Sequence, residues 1–382
     1  MTDDIDAAAV SLAKEADGRR AELERERQVP PDLFRRAADA GLFRQLICTE
    51  LGGLGRSAVE WFRTGVEMAR WEPSFSWVVT QGAGDHATYT ASGDPAFTSV
   101  FLADPNAYSS SSDNGAGTLV PEDDGYRLEG QWGFCSGCQG ATWVGGVATL
   151  PLAQGQEKPD ALWALVPIER SRIEETWNVM GMIGTGSHTV VVEPQHIPAA
   201  WTFRHSRLGP RDYGPMSVAA GNSAWPIATA VSAVVLGTSR RALDAAAELV
   251  RVKRDRATNS PLIGNAHVQR QLMRAEGAWS AANAGVEQAL IRMWADARQS
   301  RRLPIATRIA LLTANVHASA IAIEVIGSVC DTIGTSIAPT GAIFGACLRD
   351  ARTLASHTAV GGGKLELAAQ MRFGLLEDSY LV

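Results

Sequence analysis

The periodicity of the chain changes twice, and the order of those changes restricts the fold more than any single motif. Over residues 1–106 apolar positions recur at helical spacing. AAAVSLAKEADGRRAELERERQ, within 5–45, reads as helix, and Pro30-Pro31-Asp32 opens a second one. ELGGLGRS (50–57) is glycine-rich but lacks the Gly-Lys-Ser/Thr ending of a phosphate loop, so a plain loop is expected there. Helices are expected again from about 58 to 70 and, after a turn at 71–74, through Trp77 and His86. Over 107–214 the texture becomes short alternating runs such as YRLEGQW, ATWVGGVATL and HTVVVEPQHI, with a hairpin turn expected at Asp124-Gly125. From 215 to 382 helical spacing returns, at about 217–250, 265–299, 304–335 and 346–376, with alanine-rich faces suited to a bundle. No strand–helix–strand alternation appears, which excludes a Rossmann domain. The expected fold is α+β, mainly α: a helical domain (1–106), an antiparallel β-domain (107–214) and a four-helix bundle (215–382).

Composition narrows the function class. The 382 residues carry a formal charge of −6, which gives no electrostatic footprint for nucleic acid. No apolar run is expected to reach the roughly 20 residues of a membrane span. The acidic start, MTDDIDAAAV, lacks the basic-then-apolar pattern of a secretory signal. The five cysteines are odd in number and form no disulfide framework, so a cytoplasmic protein is expected.

The stretch EGQWGFCSGCQGATWVGG, 129–146, alternates bulky and small residues around a Gly-rich centre. Small residues there allow something flat to approach the backbone, with Trp132, Phe134 and Trp143 as walls. Cys135-Ser-Gly-Cys138 has the spacing of a redox or zinc pair. It has neither the βαβ context of the first nor a second ligand pair for the other, so no metal is expected.

Four stretches together resemble the acyl-CoA dehydrogenase fold and, within it, the flavin-dependent monooxygenases of two-component systems. They are ELGGLG (50–55), YRLEGQWGFCSGCQGATWVGG (126–146), WNVMGMIGTGSHTVVVEPQHIP (177–198) and LRDARTLASH (348–357). Two departures point to the monooxygenase branch. Where acyl-thioester dehydrogenases carry a carboxylate base in Tyr-Glu-Gly-Thr, this chain reads Ser356-His357-Thr358-Ala359, and their Trp-Ile-Thr-Asn is replaced by Trp132-Gly133-Phe134-Cys135-Ser136-Gly137. The resemblance implies reduced FMN or FAD supplied by a separate reductase, and dioxygen transferred through a flavin hydroperoxide to an aromatic or polycyclic small molecule. It also implies a homotetramer built as a dimer of dimers. A dehydrogenase-like oxidoreductase or a redox-neutral biosynthetic enzyme are the alternatives on the same fold.

On this resemblance Ser136 contacts the flavin ring, unless its hydroxyl only satisfies a turn. His357 hydrogen-bonds the oxygen adduct or accepts a substrate proton, unless it only caps the last helix. His86 is a pocket histidine or a packing one. Trp132, Phe134, Cys135, Ser136 and Gly137 line the cofactor, and Trp177 and Met182 wall the substrate. Thr185, Gly186 and Ser187 offer donors to the ribityl or phosphate end, with Arg251 and Arg254 near the flavin tail. His188 faces flavin or solvent. The Arg349-Asp350 pair ties the final helix down, and the glycines at 361–363 break it.

Overall fold

The central element is α5 (Pro73–Ser92), a helix buried almost all round. A helix with no solvent face has to sit between other layers, and this one does. In the computed structural model, which describes residues 2–92, 95–204, 214–222, 224–255, 258–339, 341–377 and 379, it is flanked by helices on one side and the sheet on the other. The N-terminal layer holds α1 (Thr2–Gly18), α2 (Arg20–Glu26), α3 (Pro31–Asp39), α4 (Ala58–Ala69) and, after α5, α6 (Pro95–Phe101). ELGGLGRS is a loop, and its last residue, Ser57, caps α4 through a reciprocal pair with Glu60.

Seven strands follow: β1 (Ser109–Glu122), β2 (Gly125–Cys135), β3 (Trp143–Thr149), β4 (Ala161–Pro167), β5 (Arg172–Glu174), β6 (His188–Pro198) and β7 (Thr202–Phe203). They form one sheet in the order β5-β6-β2-β1-β3-β4-β7. Every pairing is antiparallel except β1 with β3, where the expectation of a wholly antiparallel sheet fails. The β1–β2 hairpin pairs Glu122 with Gly125, so its turn is Asp123-Asp124, one residue earlier than the sequence suggests.

The last part is α7 (Pro215–Asn222), α8 (Trp225–Val252), α9 (Ala266–Gln299), α10 (Ile305–Ile333), α11 (Ile343–Ala355) and α12 (Gly363–Arg372). Two long expected helices are split. The 217–250 stretch restarts at Trp225-Pro226, where proline suits a first turn. The 346–376 stretch breaks at His357–Gly362, as the glycine run suggests. The segment Ile305–Ile337 is long and apolar enough to cross a membrane by length and composition, contrary to the expectation of no such run. Its apolar side chains are spent on the bundle core, with Ile309, Leu311, Leu312, Val325, Ile326 and Val329 all buried.

One pin holds the parts together. The backbone N–H of Met182 donates to Asp350 Oδ1 of α11 at 2.7 Å, and Arg20 of α2 lies 3.1 Å from the other Asp350 oxygen and 3.4 Å from Glu72. Burial, opposed by Arg20, pushes the Glu72 carboxyl up to about 7. At Gly181, a Cβ would lie 2.4 Å from the Arg349 carbonyl carbon, so only glycine lets the 181–187 turn seat on α11.

Candidate active site

Residues Trp77, Gln81, Asp85 and Tyr89 recur every fourth position on α5 and so share a broad face. Trp77 Nε1 donates to Ser136 Oγ at 2.9 Å. Ser136 Oγ lies 2.8 Å from Ser187 Oγ, which lies 2.7 Å from Thr185 Oγ1. Thr185 Oγ1 in turn donates to the Met182 carbonyl at 2.9 Å. An indole N–H can only donate and a carbonyl can only accept, so the run has one direction. Trp77 gives to Ser136, Ser136 to Ser187, Ser187 to Thr185 and Thr185 to Met182. The single proton of Ser136 is committed inward, and its remaining capacity is one lone pair. Its carbonyl is also engaged, accepting from Ser110 Oγ at 2.8 Å and Tyr108 Oη at 3.2 Å.

His357 meets the same indole, with ring centroids 5.7 Å apart. Trp77 therefore joins the two residues expected to face a common ligand. The Ala359 N–H donates to His357 Nδ1 at 3.1 Å, which places the hydrogen of the neutral ring on Nε2. Burial pushes the imidazole below its ordinary pKa, against the attraction of Asp113 and with the repulsion of Lys364. His357 is thus a neutral hydrogen-bond donor at neutral pH. It does not offer a basic nitrogen in this arrangement, so of its two expected roles only hydrogen-bond donation fits.

Between Trp132 and Cys135 the β2–β6 register shifts, so Gly133 and Phe134 face the single residue Thr189. Such a bulge re-aims side chains. Phe134 adopts φ +61°, is 60% exposed, and meets Trp177 edge-to-face at 5.7 Å. Thr176 and Thr189 share a hydroxyl contact of 2.8 Å beside it. An exposed aromatic ring at a bulge, flanked by hydroxyls and unpaired strand backbone, is a donor and contact set that suits a flat ring with polar edges, as a flavin has.

Several expected site residues lie elsewhere. The flat object that the small residues of 129–146 receive is the chain's own Trp132. A Cβ at Gly130, Gly117 or Gly146 would lie 2.3–2.5 Å from that indole. Trp132 is wholly buried in the sheet core with Nε1 donating to the Val147 carbonyl at 2.8 Å, so it walls no cofactor. Cys135 also turns into the core, and burial raises its thiol far above the ordinary range. Cys138 is buried with a thiol pushed up to about 12, and both cysteines are free. Gly137, at φ +71°, donates its N–H to the Thr185 carbonyl at 2.8 Å, serving the turn. Met182 is buried in the helical core, and its carbonyl rather than its side chain serves the site.

Thr185 and Ser187 spend their hydroxyls within the directed run, so they are not free donors for a phosphate. Gly186, at φ +53°, packs against Gln139 and the Arg27 carbonyl. His188 Nδ1 accepts the Trp177 N–H at 3.1 Å and is buried, which settles it as a support for Trp177. His86 is fully buried among Phe43, Tyr89, Phe101 and Tyr108. Its Nδ1 meets the Phe43 carbonyl at 3.0 Å and its Nε2 accepts the Ser109 N–H at 3.0 Å, leaving no nitrogen for a substrate. Burial holds it down to about 3. Arg251 lies in the last turn of α8 and Arg254 just beyond its end. Arg251 is 3.9 Å from Glu248, and Arg254 donates to Asn259.

Trp77, Gln81, Asp85, Asp113 and Lys364 were not singled out from the sequence for this site. The fourfold spacing of polar and aromatic residues on a helix otherwise buried was the available signal for three of them.

With this geometry in hand, the comparisons are coherent. Residues 5–98 match the family description "Acyl-CoA dehydrogenase, N-terminal domain", and 229–361 match "Acyl-CoA dehydrogenase, C-terminal domain". The two matches cover more than half of the chain, which belongs to the acyl-CoA dehydrogenase family, and its relatives are flavin-dependent monooxygenases. An indole-3-acetate monooxygenase of Pseudomonas putida is 26% identical over 92% of this chain and 89% of its own. The oxygenase subunit HsaA, a flavin-dependent monooxygenase of Rhodococcus jostii, is 34% identical over 46% of each. Among solved structures, the 3-HSA hydroxylase from Rhodococcus sp. RHA1 superposes with a TM-score of 0.89 at 24% identity over 99% of both chains. TdsC from Paenibacillus sp. A11-2, in complex with FMN and indole, gives 0.80 at 19% identity over 98% of this chain and 99% of that one.

Proposed function

We propose that this chain is the oxygenase component of a two-component system, taking reduced flavin from a separate reductase and hydroxylating an aromatic small molecule with dioxygen. The observation that carries the reading is the Trp77 bridge, one indole that donates to the Ser136 hydroxyl and meets the His357 imidazole. A bound reduced flavin supplies the oxygen activation. The chain's part is to hold and orient. Phe134 and Trp177 offer the apolar contact, Ser136 offers a lone pair, and His357 Nε2–H is a neutral donor suited to a developing negative oxygen. A dehydrogenase of acyl thioesters needs a carboxylate where this chain presents that N–H. Assembly as a homotetramer in the cytoplasm belongs to the same reading.

The test supplies the chain with NADH, a generic flavin reductase, flavin and a panel of phenols and indoles. A product heavier by one oxygen atom supports the proposal. Anaerobic reduction of bound flavin by an acyl thioester, with no oxygenated product, overturns it.

A further inference from the structure

Further along α5 from Trp77, the polar groups no longer match one another. Gln81 is 6% exposed, and its Nε2 donates to Asp85 Oδ2 in a short hydrogen bond, while its Oε1 is buried with no partner. Among the described residues no lysine or arginine lies within ion-pair distance of Asp85. The charged neighbour that Asp85 does feel is another carboxylate, Asp113 of β1. Across from it, Tyr89 and Ser111 close a short hydroxyl contact that joins α5 to β1. Lys364 of α12 also feels Asp113, so that carboxylate has a cation in its field and Asp85 has none.

Gln81 Oε1 and the Asp85 carboxylate are both acceptors and cannot satisfy each other; the carboxylate takes hydrogen bonds from Gln81 Nε2 and Tyr89 but meets no cation among the described residues, and Oε1 takes none. An orphaned buried acceptor costs about 1–3 kcal/mol, and an uncompensated carboxylate costs more. Folding tolerates such a spot where a ligand completes it, and an ammonium group is donor-only and opposite in charge. Burial, partly offset by hydrogen bonds from Gln81 and Tyr89, raises the Asp85 carboxyl to about 7.

We propose that Gln81 Oε1 and the Asp85 carboxylate form a subsite for a protonated amine carried by the aromatic substrate. This rests on the oxygenase reading for the identity of the bound molecule as substrate, and not for the binding itself. Gln81 and Asp85 act here as binding residues that set which substrate fits.

The full chain, without added flavin, is titrated calorimetrically with tryptamine and with indole-3-propionate, which share a ring and differ in the charge at the end of the arm. Tryptamine is expected to bind at least about tenfold more tightly. Asp85→Asn keeps the side-chain shape and should bring the ratio close to one, and Gln81→Met should lower tryptamine affinity several-fold. Equal binding of the two probes, or a ratio that survives Asp85→Asn, overturns the proposal. If Asp85→Asn does not fold, Gln81→Met decides alone: an unchanged tryptamine affinity overturns it. Tight tryptamine binding without oxygenated product under turnover counts against the oxygenase reading and leaves the subsite standing.

Discussion

Trp77 and Ser136 are 59 positions apart in sequence, and the indole N–H of one donates to the hydroxyl of the other at 2.9 Å. That bond fastens the central helix to the end of β2. Removing the hydroxyl strands a buried N–H on one side and an acceptor on the other. Ser136→Ala should therefore destabilise the chain by about 1–3 kcal/mol. Trp77→Phe should lose a similar amount and in addition loosen His357. A urea midpoint unchanged in both variants would contradict the directed run.

His357 should matter more to coupling than to binding. With His357→Ala, substrate affinity should move little, while oxygenated product per reduced flavin should fall by about 10²-fold as a hydrogen-bond donor is lost. Hydrogen peroxide release should rise in step. The check is product and peroxide measured in the same reaction, and a variant with unimpaired coupling would remove His357 from the chemistry.

His86 makes an acid-stability prediction. Its folded pKa of about 3 lies below the ordinary histidine value, so its stabilising effect is fully present above about 6.5 and is lost as pH falls towards 3. Within that window the slope from this group is up to about 1.4 kcal/mol per pH unit. His86→Gln should flatten the fall between pH 6 and pH 4, read from denaturation midpoints at each pH. Its oxygenation rate per folded molecule should match the parent, because neither ring nitrogen reaches a ligand.

The Asp350 pin predicts coupling between distant parts. Asp350→Ala leaves Arg20 with Glu72 and Asp17 and Met182 N–H with no carboxylate, and should cost about 3–5 kcal/mol. Asp350→Asn keeps an acceptor for Met182 and should cost less. Gly181→Ala should rival the first, since its Cβ would meet the α11 backbone. Thermal melts of the three variants rank them, and a mild Gly181→Ala would mean that the turn can lift off the helix.

The layer order was legible because two kinds of periodicity occupy separate stretches of chain, and periodicity reports which faces are covered. That Ser136 and His357 belong to one site was reachable only through the family resemblance, since residues 221 positions apart carry no local signal. The failures share a cause. Trp132, Cys135, Thr185 and His86 are residue types that suit a site and suit a core equally. Which fate each meets depends on the face it occupies after a bulge or turn, and a two-for-one register shift at Gly133-Phe134 swaps those faces. Asp85 was passed over because a single acid on a helix reads as a solvated charge until the helix is seen to have no solvent face.

The run from Trp77 to Met182 has one further consequence. Because both ends are chemically fixed, Ser136 can receive a hydrogen bond from a visitor and has none to give. A flavin ring nitrogen bears a hydrogen when reduced and only a lone pair when oxidised. Placed against that atom, as the proposed function has it, this hydroxyl would greet the electron-rich form and turn its back on the spent one, so a preference in redox state would follow from the orientation of one side chain.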